Sequence, residues 1–85
     1  MTPDDPQELT YPRRWEYRLI GRDDAQMLAA IAEILQQRDH DLAPGHDSAK
    51  GNYHSLSVEL EVADAADRDR LFVAFREHEA VVYVL

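Results

Sequence analysis

The sequence predicts an α+β sandwich, with two helices covering one face of a four-stranded antiparallel sheet. Three observations carry that prediction. Trp15 to Ile20 and Tyr53 to Val62 alternate apolar and polar residues with a period of two, the pattern of half-buried strands. Two other stretches repeat apolar residues at helical spacing. The elements then run strand, helix, strand, strand, helix, strand, an order that right-handed connections close in few ways.

Met1 to Thr10 holds prolines and acids without periodicity and reads as a flexible lead-in, so the ordered domain is expected from Tyr11 to Leu85. In the first strand Trp15, Tyr17 and Leu19 point one way, and Glu16 and Arg18 the other. Gly21 ends it, and Asp23 or Asp24 supplies a helix N-cap. Met27, Leu28, Ile31, Ile34 and Leu35 form the apolar stripe of the first helix, which is expected to fade near Arg38. Pro44 and Gly45 forbid a central strand in the segment from Asp39 to Gly51 but allow an irregular edge strand.

Lys50-Gly51-Asn52 is a turn signal. After it His54, Leu56, Val58, Leu60 and Val62 take the inward face, and Tyr53, Ser55, Ser57, Glu59 and Glu61 the outward one. Asp64 caps a second helix whose apolar face is Leu71, Phe72 and Phe75, with Arg68, Asp69 and Arg76 solvated. Ala80 to Leu85 is a final strand. The arrangement that satisfies all six elements is the split β-α-β sandwich, ferredoxin-like, with strand order 4-1-3-2. It makes the two best-patterned strands central and puts Pro44 and Gly45 on an edge.

Composition bounds the function. Eighty-five residues make one domain, with no cysteine and a formal net charge of −8. A surface of that sign repels nucleic-acid backbones. The expected outer face of the sheet (Glu16, Arg18, Ile20, Ser55, Ser57, Glu59, Glu61, Val82, Val84) lacks the aromatics that RNA-binding sheets use. No apolar run approaches the roughly 20 residues of a membrane span, and the polar N-terminus is unlike a signal peptide. A cytoplasmic location is expected.

Tyr11-Pro12, the strand from Trp15 to Gly21, the turn Ser48-Ala49-Lys50-Gly51-Asn52-Tyr53-His54-Ser55 and the ending Val81-Val82-Tyr83-Val84-Leu85 resemble the YbeD-like family of small bacterial cytosolic proteins, which has no assigned reaction. The resemblance runs from about Tyr11 onward and implies an ACT-like version of the fold. ACT domains bind amino acids through the loop after the first strand. Here that loop is Gly21-Arg22-Asp23-Asp24-Ala25-Gln26, with the leading glycine and the acids but without the Pro-Gly that commonly follows.

Two groups of candidate site residues result. Ser48, Lys50, Gly51, Asn52, Tyr53 and His54 form a polar turn in which a lysine cation and a glycine backbone suit a small anion or a partner's carboxylate. Gly21, Asp23 and Asp24 are the ACT-like loop candidates, with helix capping as the competing role of the acids. His40 and His46 flank acids but lack metal-ligand spacing, so no metal is expected. No phosphate loop, nucleophile elbow or other catalytic motif is present, and neither a cofactor nor an enzymatic activity is expected. The expected function is a regulatory or adaptor domain working through protein contacts or self-association. The alternative is a sensor of a small molecule, amino-acid-like or lipoate-related; lipoate enters only through the common proximity of YbeD-like genes to lipoate-synthesis genes.

Overall fold

Alternation in the strands and carboxylate caps on the helices set the element boundaries. The computed structural model describes residues 9–45 and 52–85. Its elements are β1 (Arg13–Gly21), α1 (Asp24–Leu35), β2 (Asp41–Pro44), β3 (His54–Val62), α2 (Ala65–Glu77) and β4 (Tyr83–Val84). The sheet order is β2-β3-β1-β4, the expected order read from the other edge. β1 pairs with β3 from Arg13↔Val62 to Gly21↔His54, and β2 pairs with β3 as the edge that Pro44 permits. Asp23 caps α1 by accepting from the Gln26 N–H at 3.0 Å, and Asp64 caps α2 from the Asp67 N–H at 2.7 Å.

One core lies between sheet and helices. Tyr17 and Leu19 of β1, Val58, Leu60 and Val62 of β3, Met27, Ile31 and Leu35 of α1 and Phe75 of α2 are essentially inaccessible. The Tyr17 and Phe75 rings meet at 5.3 Å between centroids, a favourable tilted aromatic pair. The Tyr17 hydroxyl donates to the Arg68 carbonyl at 2.7 Å. Burial pushes that phenol up to about 12.

The structure departs from the sequence reading where neighbours override local pattern. α1 stops at Leu35, where Gln36 takes φ 55, well before Arg38. Leu28 lies one step off the stripe and is exposed, while the small Ala30 is buried in its place. Phe75 and Leu71, not Phe72, are the buried apolar residues of α2; Phe72 packs against the core from its margin. Arg68 is held rather than solvated, donating to the Tyr11 hydroxyl at 2.8 Å.

The last strand is shorter than Ala80 to Leu85: Tyr83 and Val84 are its ladder residues, flanked by backbone bonds from Val82 to Ile20 and between Leu85 and Arg18. A bend after the buried Val81 shifts its parity. Val84 therefore enters the core opposite Leu19, and Tyr83 faces outward opposite Ile20. Ser55, expected on the open face, is buried because the Gly45 backbone crosses it; the Gly45 N–H donates to the Ser55 carbonyl at 2.8 Å.

One buried charge has no counterpart in the sequence reading. Asp67, 4% exposed, receives the Arg38 guanidinium through two hydrogen bonds of 2.8 and 3.0 Å. It also accepts from the Ala63 N–H at 2.9 Å and from Arg70 at 2.9 Å. The Arg38 hydrogen bonds hold its carboxyl down at about 2. Arg38 also donates to the Glu61 carbonyl at 3.0 Å, so the segment after α1 is tied to both β3 and α2.

Candidate functional site

The described members of both groups of candidate residues arrive at the same end of the sheet. The β1–β3 register pairs Gly21 with His54, so the loop after β1 and the entry to β3 lie side by side. Gly21 is required by close approach: a Cβ there would sit 2.5 Å from the Ala80 carbonyl oxygen and 2.8 Å from the Met27 sulfur. Without a side chain at this point, the connection from α2 to β4 packs directly on the end of β1.

Beyond Gly21 the groups are polar. The Arg22 guanidinium lies 5.5 Å from the centroid of the Tyr53 ring and donates to its hydroxyl at 3.4 Å. Asp24, in the first turn of α1, places a carboxylate oxygen 3.8 Å from His54 Nδ1. Asp23 is occupied with its cap. Arg22, Asn52 and Tyr53 line a shallow hollow of about 270 Å³. The Arg22 guanidinium and the Asp24 carboxylate, two positions apart in the chain, offer opposite charges to a zwitterion or a peptide terminus. Ser48, Lys50 and Gly51 lie outside the described residues, as does His46. Of the polar turn, the structure places Asn52, Tyr53 and His54. It adds Arg22, which the sequence reading passed over; its signal was the position immediately after Gly21, across from Tyr53.

A second hollow, about 410 Å³, lies between α1 and the α2–β4 connection and is lined by Gln26, Ala29, Ala30, Glu33, His78, Glu79 and Ala80. His78 Nδ1 accepts from the Ala80 N–H at 3.1 Å, and Nε2 faces Glu33 at 3.2 Å. The backbone bond fixes the tautomer, so Nε2 carries the proton that goes to Glu33. Among the described residues no three His, Cys, Asp or Glu side chains gather as a metal site. No helix among them is long and apolar enough to cross a membrane.

A family model described as "Protein of unknown function (DUF493)" matches residues 6–85. An uncharacterized protein of Helicobacter pylori strain J99 is 30% identical over 78 residues, covering 91% of this chain and 90% of the relative. A UPF0250 protein of Yersinia pestis is 28% identical, with 91% of each chain covered. The solution structure of protein HP0495 from H. pylori matches with a TM-score of 0.77 at 25% identity, covering 100% of this chain and 96% of that one. The ACT domain from GTP pyrophosphokinase of Chlorobium tepidum matches with a TM-score of 0.60 at 18% identity, covering 85% and 94%, a likeness of fold.

Proposed function

The chain belongs to the DUF493 family of small bacterial proteins and carries an ACT-like fold, and from that premise we propose that it is a non-enzymatic regulatory or adaptor domain acting through protein contacts in the cytoplasm. The observation that supports this reading is the β4 edge. Val82, Tyr83 and Leu85 are 46%, 63% and 67% exposed, and they stand on or directly beside a strand that pairs on one side only. An open backbone edge beside solvent-facing apolar side chains is a ready surface for another chain. The hollows are shallow and open at the surface, which suits contact better than enclosed chemistry.

The test is photo-crosslinking from position 82, exposed beside Tyr83, in bacterial lysate, repeated with Tyr83→Lys. One defined protein or a second copy should be captured, lost in the variant, and retained when Leu42 on the opposite edge is changed to Lys. Capture indifferent to Tyr83→Lys would remove this reading.

A second reading, an amino-acid-like or lipoate-related metabolite sensor, is favoured by the opposed charges of Arg22 and Asp24 at the end of the sheet. A true ligand at 100 times its dissociation constant adds about 2.7 kcal/mol of stability. A thermal-shift series over amino acids, nucleotides and lipoate derivatives should then show one compound whose effect disappears in Arg22→Ala. A flat series counts against sensing.

A further inference from the structure

We propose that the Arg13–Tyr17 edge of β1 is a docking slot for an extended segment of another protein, which adds to the sheet as a strand in line with β4. The proposal rests on the protein-contact reading above and names the site and the kind of partner.

The unequal pairing of β1 creates the slot. On its β3 side every residue from Arg13 to Gly21 has a partner. On its other side only Leu19 and Ile20 have ladder partners, extended by the reciprocal bonds of Arg18 with Leu85 at 3.1 and 2.8 Å. Among the described residues no strand lies beside Arg13–Tyr17 on that side. Antiparallel ladders alternate the direction of their backbone groups. Because Arg18 and Ile20 bond toward β4, Arg14 and Glu16 present their N–H and C=O groups toward the same open side.

Both faces of the sheet are hollow beside this stretch of β1. On the helix side the apolar Trp15, Tyr17, Phe72 and Leu85 and the ion-paired Arg68 and Asp69 help line a depression of about 340 Å³. On the outer side Glu16, Arg18 and Leu85 line one of about 210 Å³. A single added strand places successive side chains alternately in these two hollows. One residue opposite Tyr17 enters the apolar depression; the next, opposite Glu16, stands between Glu16 and Arg18.

Charge selects the occupant. Arg13 and Arg68 hold their guanidiniums 5.6 and 5.0 Å from the Trp15 ring centroid. A carboxylate opposite Trp15 on the added strand meets Arg13 and shares Arg68 with Asp69, to which Arg68 donates at 2.9 Å. The field of a chain with net charge −8 opposes a whole second copy of the same charge far more than a segment bearing a single acid. The segment is therefore one of a different protein, with an apolar residue, a small polar residue and an acid in succession.

The test uses the full chain labelled with ¹⁵N and a capped pentapeptide, acetyl-Leu-Thr-Glu-Thr-Val-amide. Chemical-shift changes should centre on Arg13–Tyr17, with slower exchange of the Arg14 and Glu16 amides. Methylating the peptide nitrogen that donates to the Glu16 carbonyl should weaken binding about tenfold, the loss of one hydrogen bond. Replacing its glutamate by lysine should weaken binding further.

Three results overturn the slot: no shift at about 1 mM peptide, the weak end of specific affinity; equal binding of the methylated peptide; or a Glu16 amide that already exchanges as slowly as that of Leu19 in the free chain. If the slot fails while the Tyr83-dependent crosslink survives, the adaptor reading stands without it. If the crosslink fails too, both go.

Discussion

At the scale of single residues, Asp67 shows how a polar position becomes structural. It lies at the third position of α2, where a carboxylate suits the helix end, and the fold then closes Arg38, Arg70 and the Ala63 N–H around it. Asp67→Asn is expected to cost about 2–3 kcal/mol, below the usual cost of breaking a fully buried pair because the stranded arginines still reach water. The folded carboxyl titrates at about 2 against an ordinary 3.8. Its contribution is therefore complete above about pH 4 and is lost as pH falls toward 2. Urea unfolding across that range should show a steeper loss for the native protein than for the variant; parallel curves would refute the assignment.

The two phenylalanines of α2 give a second comparison. Phe75 is inaccessible, whereas Phe72 packs at the margin. Phe75→Ala should cost about 3–5 kcal/mol, and Phe72→Ala about half as much. Equal losses in urea midpoints would contradict the placement of α2.

At the scale of elements, the strands were more legible in the sequence than the joints between them. The alternation of β1 and β3 needs no tertiary information, because period-two patterning is local. The burial of Ser55 under Gly45 and the parity of Tyr83 and Val84 were not legible, since each depends on where a distant backbone crosses or bends. The same holds at the candidate site. Gly21 was visible as a strand terminator, but its partnership with His54 and the approach of Ala80 follow only from register and packing. Arg22 became a candidate only when Tyr53 arrived beside it. Gly21→Ala tests this joint. Its methyl would strike the Ala80 carbonyl, a backbone atom that yields only if the α2–β4 connection shifts. A loss of about 1–3 kcal/mol is expected, read as a lower Tm with β4 amides exchanging faster than before. An unchanged melting curve would show that the approach is looser than described.

At the scale of the whole molecule, composition and topology act together. A formal charge of −8 repels itself in the compact state and attracts salt cations. Raising NaCl from about 10 mM to about 300 mM shortens the Debye length from about 30 Å to under 10 Å. Tm should therefore rise by a few degrees, with partial opposition from weakened arginine pairs. A falling Tm would mean that those pairs outweigh the field.

The uneven hold on β1 also decides which part of the molecule comes loose first. β3 is zipped along its entire length, whereas β4 is fastened by the Leu19–Val84 and Ile20–Tyr83 pairs and the bonds flanking them. Native-state breathing therefore starts at this strand, at a cost below global unfolding, and it uncovers the buried Val84. A cellular protease that needs an opened segment meets one here, so the turnover of the protein is expected to follow the fastening of β4, and anything that clamps that edge lengthens its lifetime.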